Sequence, residues 1–204
     1  MHLSSYPDLL SALQQDPQLP GRRFIAIIGA PGSGKTTLVD RLVTDLEQSA
    51  KLPMDGFHFD NETLAARQRL HRKGAPDTFD TSALKALLNQ IAGGGAHRVP
   101  TFDRDNDRVV PDGALVPEEA TTLVVEGNYL LLDAPGWRDL RDFWDVSVML
   151  DVPVETLEAR LTQRWLDQGM PRPEAEQRAR ENDLQNAETV LSRSFPATHS
   201  LTLT

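Results

Sequence analysis

The segment Gly29-Ala30-Pro31-Gly32-Ser33-Gly34-Lys35-Thr36 constrains this chain more than any other. It has the form G-x-x-x-x-G-K-[S/T], in which glycines let backbone N–H groups turn inward onto phosphate oxygens. Such a loop works when a buried strand enters it and a helix N-terminus, favourable to anions, leaves it. Both flanks fit. Phe24-Ile25-Ala26-Ile27-Ile28 is a continuous apolar run rich in β-branched residues, the pattern of a parallel strand buried on both faces. Leu38, Leu42, Val43 and Leu46 recur at helical spacing from Lys35 to about Glu47. Lys35 can reach β- and γ-phosphates as a mobile point charge, and the Thr36 hydroxyl can sit on Mg²⁺. Residues 29–36, with Thr37 in the first helical turn, are therefore the candidate ATP cradle.

The remaining pattern alternates strands with helices. A helix is expected over residues 3–19, closed by Pro17 and Pro20, and a second short strand over Leu52-Pro53-Met54. Residues 60–72 and 81–92 read as helices, and 97–102 as extended. Residues 121–125 and 146–152 read as buried strands, 154–167 as a helix, 173–192 as a further helix opened by Pro173, and 199–204 as a last strand. The fold class implied is α/β: a three-layer, doubly wound P-loop fold with a mainly parallel sheet and a helical lid. At 204 residues it is expected as one domain, with residues 57–120 an acceptor-binding insertion and 155–192 the lid and C-terminal helices.

A net charge of −9 argues against a nucleic-acid partner or a basic membrane-surface anchor. No apolar run approaches the ~20 residues of a membrane span, and residues 1–15 lack the pattern of a secretory signal. Cysteine is absent, which removes disulfides, thiolate zinc sites and Cys nucleophiles and is compatible with a cytoplasmic location. Cations are 17 Arg against four Lys: Lys35, Lys51, Lys73 and Lys85.

Two acidic positions complement the loop. Thr122-Leu123-Val124-Val125 runs into Glu126-Gly127, placing Glu126 at the carboxyl edge of the sheet, where such folds bind ligands. It can orient Mg²⁺ through water, or cap the next element. Asp55, in Met54-Asp55-Gly56-Phe57-His58, lies at another strand end. It can accept the proton of an attacking hydroxyl, or serve as an Asp-Gly turn residue. His58 is a candidate substrate contact or a half-exposed loop histidine. Phe102-Asp103-Arg104 can bind a polyol through an Asp/Arg pair, or form a solvated turn. Arg160 and Arg164, four apart on one helix, can neutralise a transferring phosphoryl group from a lid, or pair with Glu158 and Asp167 on an exposed helix.

Together these segments resemble the phosphoribulokinase, uridine kinase and bacterial pantothenate kinase family of P-loop kinases, over about residues 22–193. The resemblance rests on the phosphate loop, PMDGFH at 53–58, VPTFDR at 99–104, VVEGNYLLL at 124–132 and the arginines at 160–172, in that order and spacing. Within the family the chain is most similar to the fructose transport system kinase branch, which shares DGFH, FDR, EGNYLLL and a segment like ENDLQNAETV at 181–190. The resemblance implies ATP-dependent phosphorylation of a hydroxyl on a small metabolite: a sugar such as fructose, or a pantothenate- or nucleoside-like acceptor. It implies Lys35, Asp55, Arg160 and Arg164 as catalytic residues and Thr36 and Glu126 as metal ligands. Asp55, His58, Phe102, Asp103, Arg104 and Asn128 are the implied substrate contacts, and a homodimer is compatible with it. The alternative is a regulatory or transport-associated P-loop switch. The guanine motif Asn-Lys-x-Asp and the transporter signature Leu-Ser-Gly-Gly-Gln are both missing.

Overall fold

In the computed structural model, which describes residues 1–15 and 21–202, six parallel strands form a central sheet. These are β1 (His2–Leu3), β2 (Arg23–Gly29), β3 (Ser49–Pro53), β6 (Thr122–Gly127), β7 (Val146–Leu150) and β8 (His199–Leu201), in the order β1-β8-β7-β2-β6-β3. Between them β4 (His97–Asp103) and β5 (Arg108–Val116) form a separate antiparallel hairpin. The helices are α1 (Tyr6–Gln15), α2 (Lys35–Asp45), α3 (Asn61–Ala66), α4 (Thr81–Ala92), α5 (Val154–Asp167), α6 (Arg172–Arg178) and α7 (Leu184–Arg193). No helix among the described residues is long and apolar enough to cross a membrane.

β2 is buried at every position, so its alternating side chains feed two cores. Ile25 and Ile27 pack with Leu38 and Leu42 of α2 and Leu9 and Leu13 of α1. Phe24, Ala26 and Ile28 face Leu84, Leu88 and Ile91 of α4 and the aromatic group Phe79, Tyr129 and Trp137. Three layers result, as the apolar runs imply. A third, smaller cluster joins Leu157 and Leu161 of α5 to Ala30 of the glycine-rich loop and to Ala179 and Ala187.

Several boundaries differ from the sequence pattern. The expected helix over 60–72 stops at Ala66. Gln68 adopts a left-handed conformation (φ 57°), and the Arg69 N–H donates to the Leu64 carbonyl, a Schellman-type stop; a short 3₁₀ turn follows at Leu70–Arg72. The strand expected at 52–54 runs from Ser49 to Pro53, and Met54 already opens a 3₁₀ turn, Met54–Phe57. The expected helix over 3–19 is β1 followed by α1; its proline stop, Pro17 and Pro20, lies outside the described residues. The strand expected over 199–204 spans His199–Leu201, and residues 203–204 also lie outside. The helix expected over 173–192 is interrupted by a π-helical turn, Ala179–Asp183, between α6 and α7.

The 57–120 region is tied down by polar groups reaching out of the core. Arg22, just before β2, donates to five carbonyls: those of Ile91, Gly95, Pro117, Glu118 and Ala120. The hydroxyl of fully buried Tyr129 donates to the Gly74 carbonyl at 2.7 Å, and Trp137 Nε1 donates to the Pro76 carbonyl at 3.1 Å. Replacing Tyr129 by Phe keeps the ring and removes one buried hydrogen bond, leaving a carbonyl unmatched. The expected cost in urea unfolding is about 1–2 kcal/mol; an unchanged midpoint would show that this tether contributes nothing.

Candidate active site

Parallel register places the site. Pro53 of β3, Glu126 of β6 and Ile27 of β2 stand side by side, so three neighbouring strands release the chain at one edge. Beyond β2 the loop turns through Gly32 (φ 80°) and Gly34 (φ 93°), a region closed to most side chains. Gly34 caps α2 without any side-chain hydrogen bond, which leaves the first N–H groups of α2 open to a ligand. Lys35 Nζ donates to the carbonyls of Gly29 and Ala30, both at 2.9 Å, and Thr36 Oγ1 donates to Glu126 Oε2 at 2.8 Å. Gly29 is pressed from below, since a Cβ there would meet Ser33 Oγ at 2.6 Å. Ser33 Oγ is buried beneath the loop and Ala30 packs on Leu157 and Leu161, so both support the loop from behind.

Beyond β3 the 3₁₀ turn carries Asp55. Two glycines admit it. A Cβ on Gly127 would meet the Met54 side chain at 2.7 Å, and one on Gly56 would collide with the Pro100 carbonyl of β4. Gly56 therefore allows two backbones to approach closely and does not supply a left-handed turn. Asp55 Oδ2 accepts a 2.6 Å hydrogen bond from Arg104, the residue after β4. His58 Nδ1 lies 2.9 Å from the Asp55 carbonyl, and its ring packs between Phe79 and Phe102, with centroids 4.0 and 4.8 Å away.

One cleft of about 720 Å³ brings together Lys35, Thr36, Thr37, Pro31, Gly32 and Gly34 with Asp55, His58, Phe102, Arg104, Glu126, Asn128 and Arg164. Five predicted residues fall outside its lining: Gly29, Ala30 and Ser33 of the loop itself, and Asp103 and Arg160. Asp103 turns into the hairpin tip, where its carboxylate accepts from Asn106 N (3.1 Å) and Nδ2 (2.8 Å) and caps that turn. Arg160 lies on the exposed side of α5 and donates to the Gly32 carbonyl at 3.2 Å, bracing the loop from outside.

The cleft also contains groups that sequence reasoning missed. Lys73, with its side chain almost buried, donates to Asn61 Oδ1 (2.6 Å) and Asp107 Oδ1 (2.8 Å) and stands 5.0 Å from the Phe102 ring centroid. It thereby joins α3 to the hairpin tip. The scarcity of lysine among so many arginines was the available signal. Asp183, buried on the π-helical turn, accepts from Trp165 Nε1 (2.7 Å) and Arg164 Nη2 (3.2 Å). Nothing in the local sequence marks a π-turn, which lengthens one helical turn by a residue and re-aims the side chains of the next helix.

Charge in the cleft is finely set. Burial lowers the Lys35 ammonium to about 8, against the pull of Asp55 and Glu126. Burial raises the Glu126 carboxyl, opposed by its hydrogen bond from Thr36. Burial lowers His58, opposed by Asp55. The oxygen pair Thr36 and Glu126 fits a hard divalent cation such as Mg²⁺. No group of three or more His, Cys, Asp or Glu among the described residues is placed to hold a metal ion, so phosphate oxygens and water would complete its shell.

The chain is similar to several known proteins. A structure from Silicibacter sp. TM1040, described as a candidate fructose transport system kinase, is 44% identical with a TM-score of 0.92, over 96% of this chain and 98% of that one. The uncharacterised Escherichia coli K12 protein YggC is 37% identical over 196 residues, 93% of this chain and 81% of its own. A candidate uridine kinase of Schizosaccharomyces pombe is 31% identical over 201 residues, 90% of this chain and 84% of its own. Residues 24–168 match the phosphoribulokinase/uridine kinase family, and the chain belongs to that family of P-loop kinases.

Proposed function

We propose that the protein transfers the γ-phosphoryl group of ATP to a hydroxyl of a small polar metabolite. The supporting observation is that a single cleft holds the phosphate loop and, at the neighbouring strand end, the Asp55 carboxylate. In this reading the N–H groups at the start of α2 and the Lys35 ammonium hold the β- and γ-phosphates. Thr36 and Glu126 hold Mg²⁺, which neutralises phosphate charge when bound. Asp55 accepts the hydroxyl proton while the acceptor oxygen bonds to the γ-phosphorus and the bridging oxygen leaves with ADP. Phosphoryl transfer is mostly positioning and neutralisation, so an oriented carboxylate is sufficient, and Arg104 orients this one. Arg164 reaches the cleft from α5, with Asp183 and the Trp165 ring (5.1 Å) fixing its direction. A sugar hydroxyl such as that of fructose is the favoured acceptor type, which the similarity to the Silicibacter protein supports.

Three outcomes test this reading. Asp55→Asn should keep nucleotide affinity and lose about 100-fold or more of acceptor phosphorylation, measured with labelled ATP; unchanged turnover rejects the base. Lys35 gives a pH signature. An anion beside its ammonium raises the pKa in the complex, so binding is strongest below the free value of about 8 and weakens as pH rises through it. Affinity for a non-hydrolysable ATP analogue should fall by up to about tenfold per pH unit above that point, and be flat in Lys35→Met. Asp183→Asn should lower kcat at saturating ATP with little change in the ATP KM, because it loosens Arg164 and spares the phosphate loop; a loss confined to KM would place Arg164 in ground-state binding.

A further inference from the structure

In the kinase reading Asp55 takes a proton from the attacking hydroxyl, and the same carboxylate can take one from water. Water has access, since the Asp55 side chain is 25% exposed. If the oxygen of water bonds to the γ-phosphorus, the bridging oxygen leaves with ADP and the water proton passes to Asp55. ATP is then consumed and no metabolite is phosphorylated. A cleft with an open carboxylate beside its phosphate loop therefore needs something that tells a hydroxyl-bearing metabolite from water.

Arg104 stands across that route. Its Nη2 donates to Asp55 Oδ2 at 2.6 Å, a separation that admits no oxygen atom between them. The hydrogen bond that orients the carboxylate thus also occupies it. Arg104 follows β4 directly, at the tip of the β4–β5 hairpin. The tip is fastened at a second point. Asp107, in a left-handed conformation (φ 49°), accepts from Lys73 Nζ at 2.8 Å and from Asn61 Nδ2 at 3.0 Å. Lower down, the close approach of Gly56 to the Pro100 carbonyl holds β4 against the turn that carries Asp55. The pair is nonetheless easily opened. The Arg104 side chain is 58% exposed, so water hydrates the guanidinium as it leaves, and an ion pair of that exposure holds by a small margin. An acceptor gains contact with Phe102 and His58 in the same cleft, and that gain offsets the opening. Water has no body with which to make those contacts.

We infer that Arg104 is a positioning residue that closes Asp55 to water and releases it when an acceptor enters, so that the splitting of ATP is coupled to the arrival of an acceptor hydroxyl. The inference rests on the proposed role of Asp55 and goes beyond it: the hairpin tip selects between two nucleophiles. Its effect is read without any acceptor, as the rate at which ATP is lost to water.

The experiment measures ADP release by the full chain with Mg-ATP and no acceptor. Arg104→Met, which keeps much of the stem and removes the guanidinium, should raise that release about two- to fivefold, the factor that an exposed ion pair sets. Arg104→Lys, which keeps a cation able to reach the carboxylate, should restore most of the suppression. In the Asp55→Asn background Arg104→Met should raise nothing, because the proton acceptor is gone. Release that stays level or falls in Arg104→Met, including no detectable release from either protein, overturns the gate. So does a rise that persists in the Asp55→Asn background, or one that Arg104→Lys shows in full. Transfer of labelled phosphate to a panel of fructose, pantothenate and uridine is read in parallel. Transfer without a rise in Arg104→Met keeps the kinase reading and rejects the gate. An Asp55-dependent rise without transfer to any member keeps the gate and rejects the kinase reading for these acceptors.

Discussion

The arrangement depends on a register. Pairing of β3, β6 and β2 in parallel sets Pro53, Glu126 and Ile27 in a row, so every segment that leaves this edge emerges beside the others. Nothing else in the chain could bring residues 35, 55 and 126 into one cleft, because they are separated by a helix, a hairpin and long connections. The hydrogen bond from Thr36 to Glu126 closes the row, linking the start of α2 to the end of β6. Shifting β6 by one residue would turn Glu126 to the opposite face and bury a carboxylate in the wrong core. Burial of β2 on both faces is what prevents that shift, since any slip exchanges the partners of two cores together.

Electrostatics in the cleft derive from the same compactness. A chain at −9 repels a polyanion at long range, so attraction has to be local. Much of the cleft's positive charge is already matched by its own aspartates, in pairs that draw together segments distant in sequence: Arg104 with Asp55, Lys73 with Asp107, Arg164 with Asp183. These pairs are partly open to water, so each adds little to stability. Their value lies in direction. A guanidinium or ammonium held by a carboxylate has fewer rotamers to lose when a ligand arrives. The phosphate loop achieves the same by different means, with backbone N–H groups on a glycine-rich turn.

The phosphate loop, its strand and its helix were legible because each position answers a local rule: an apolar run, glycines where φ is positive, a helical period behind Lys35. Glu126 and Asp55 were legible as acids at strand ends. The hidden features depend on tertiary approach. Asp103 read as half of a polyol-binding pair or as part of a solvated turn; its carboxylate caps the hairpin turn by accepting from Asn106, and that turn exists because β5, a strand with weak apolar alternation, pairs with β4. Gly56 makes room for the Pro100 carbonyl, an approach that no local pattern announces. Asp183 and Asn186 sit on an apparently ordinary amphipathic helix. The π-turn between α6 and α7, with no glycine or proline to announce it, determines which of its residues face the cleft.

The lid reading is sharpened most by packing. Leu157 and Leu161 of α5 rest on Ala30, and Gly32 has only 3.2 Å to spare for a Cβ against Leu161. Arg160 holds the Gly32 carbonyl from the same helix. The loop that would hold phosphates and the helix that carries Arg164 are thus one packed unit, with α6, the π-turn and α7 stacked behind it through Ala179 and Ala187. A displacement of α5 alone would uncover Ala30 and strip the Gly32 carbonyl of its donor. Arg164 therefore gains its aim from the same contacts that shape the phosphate loop, and the Trp165–Asp183 hydrogen bond carries that aim across to the helices lining the far end of the cleft.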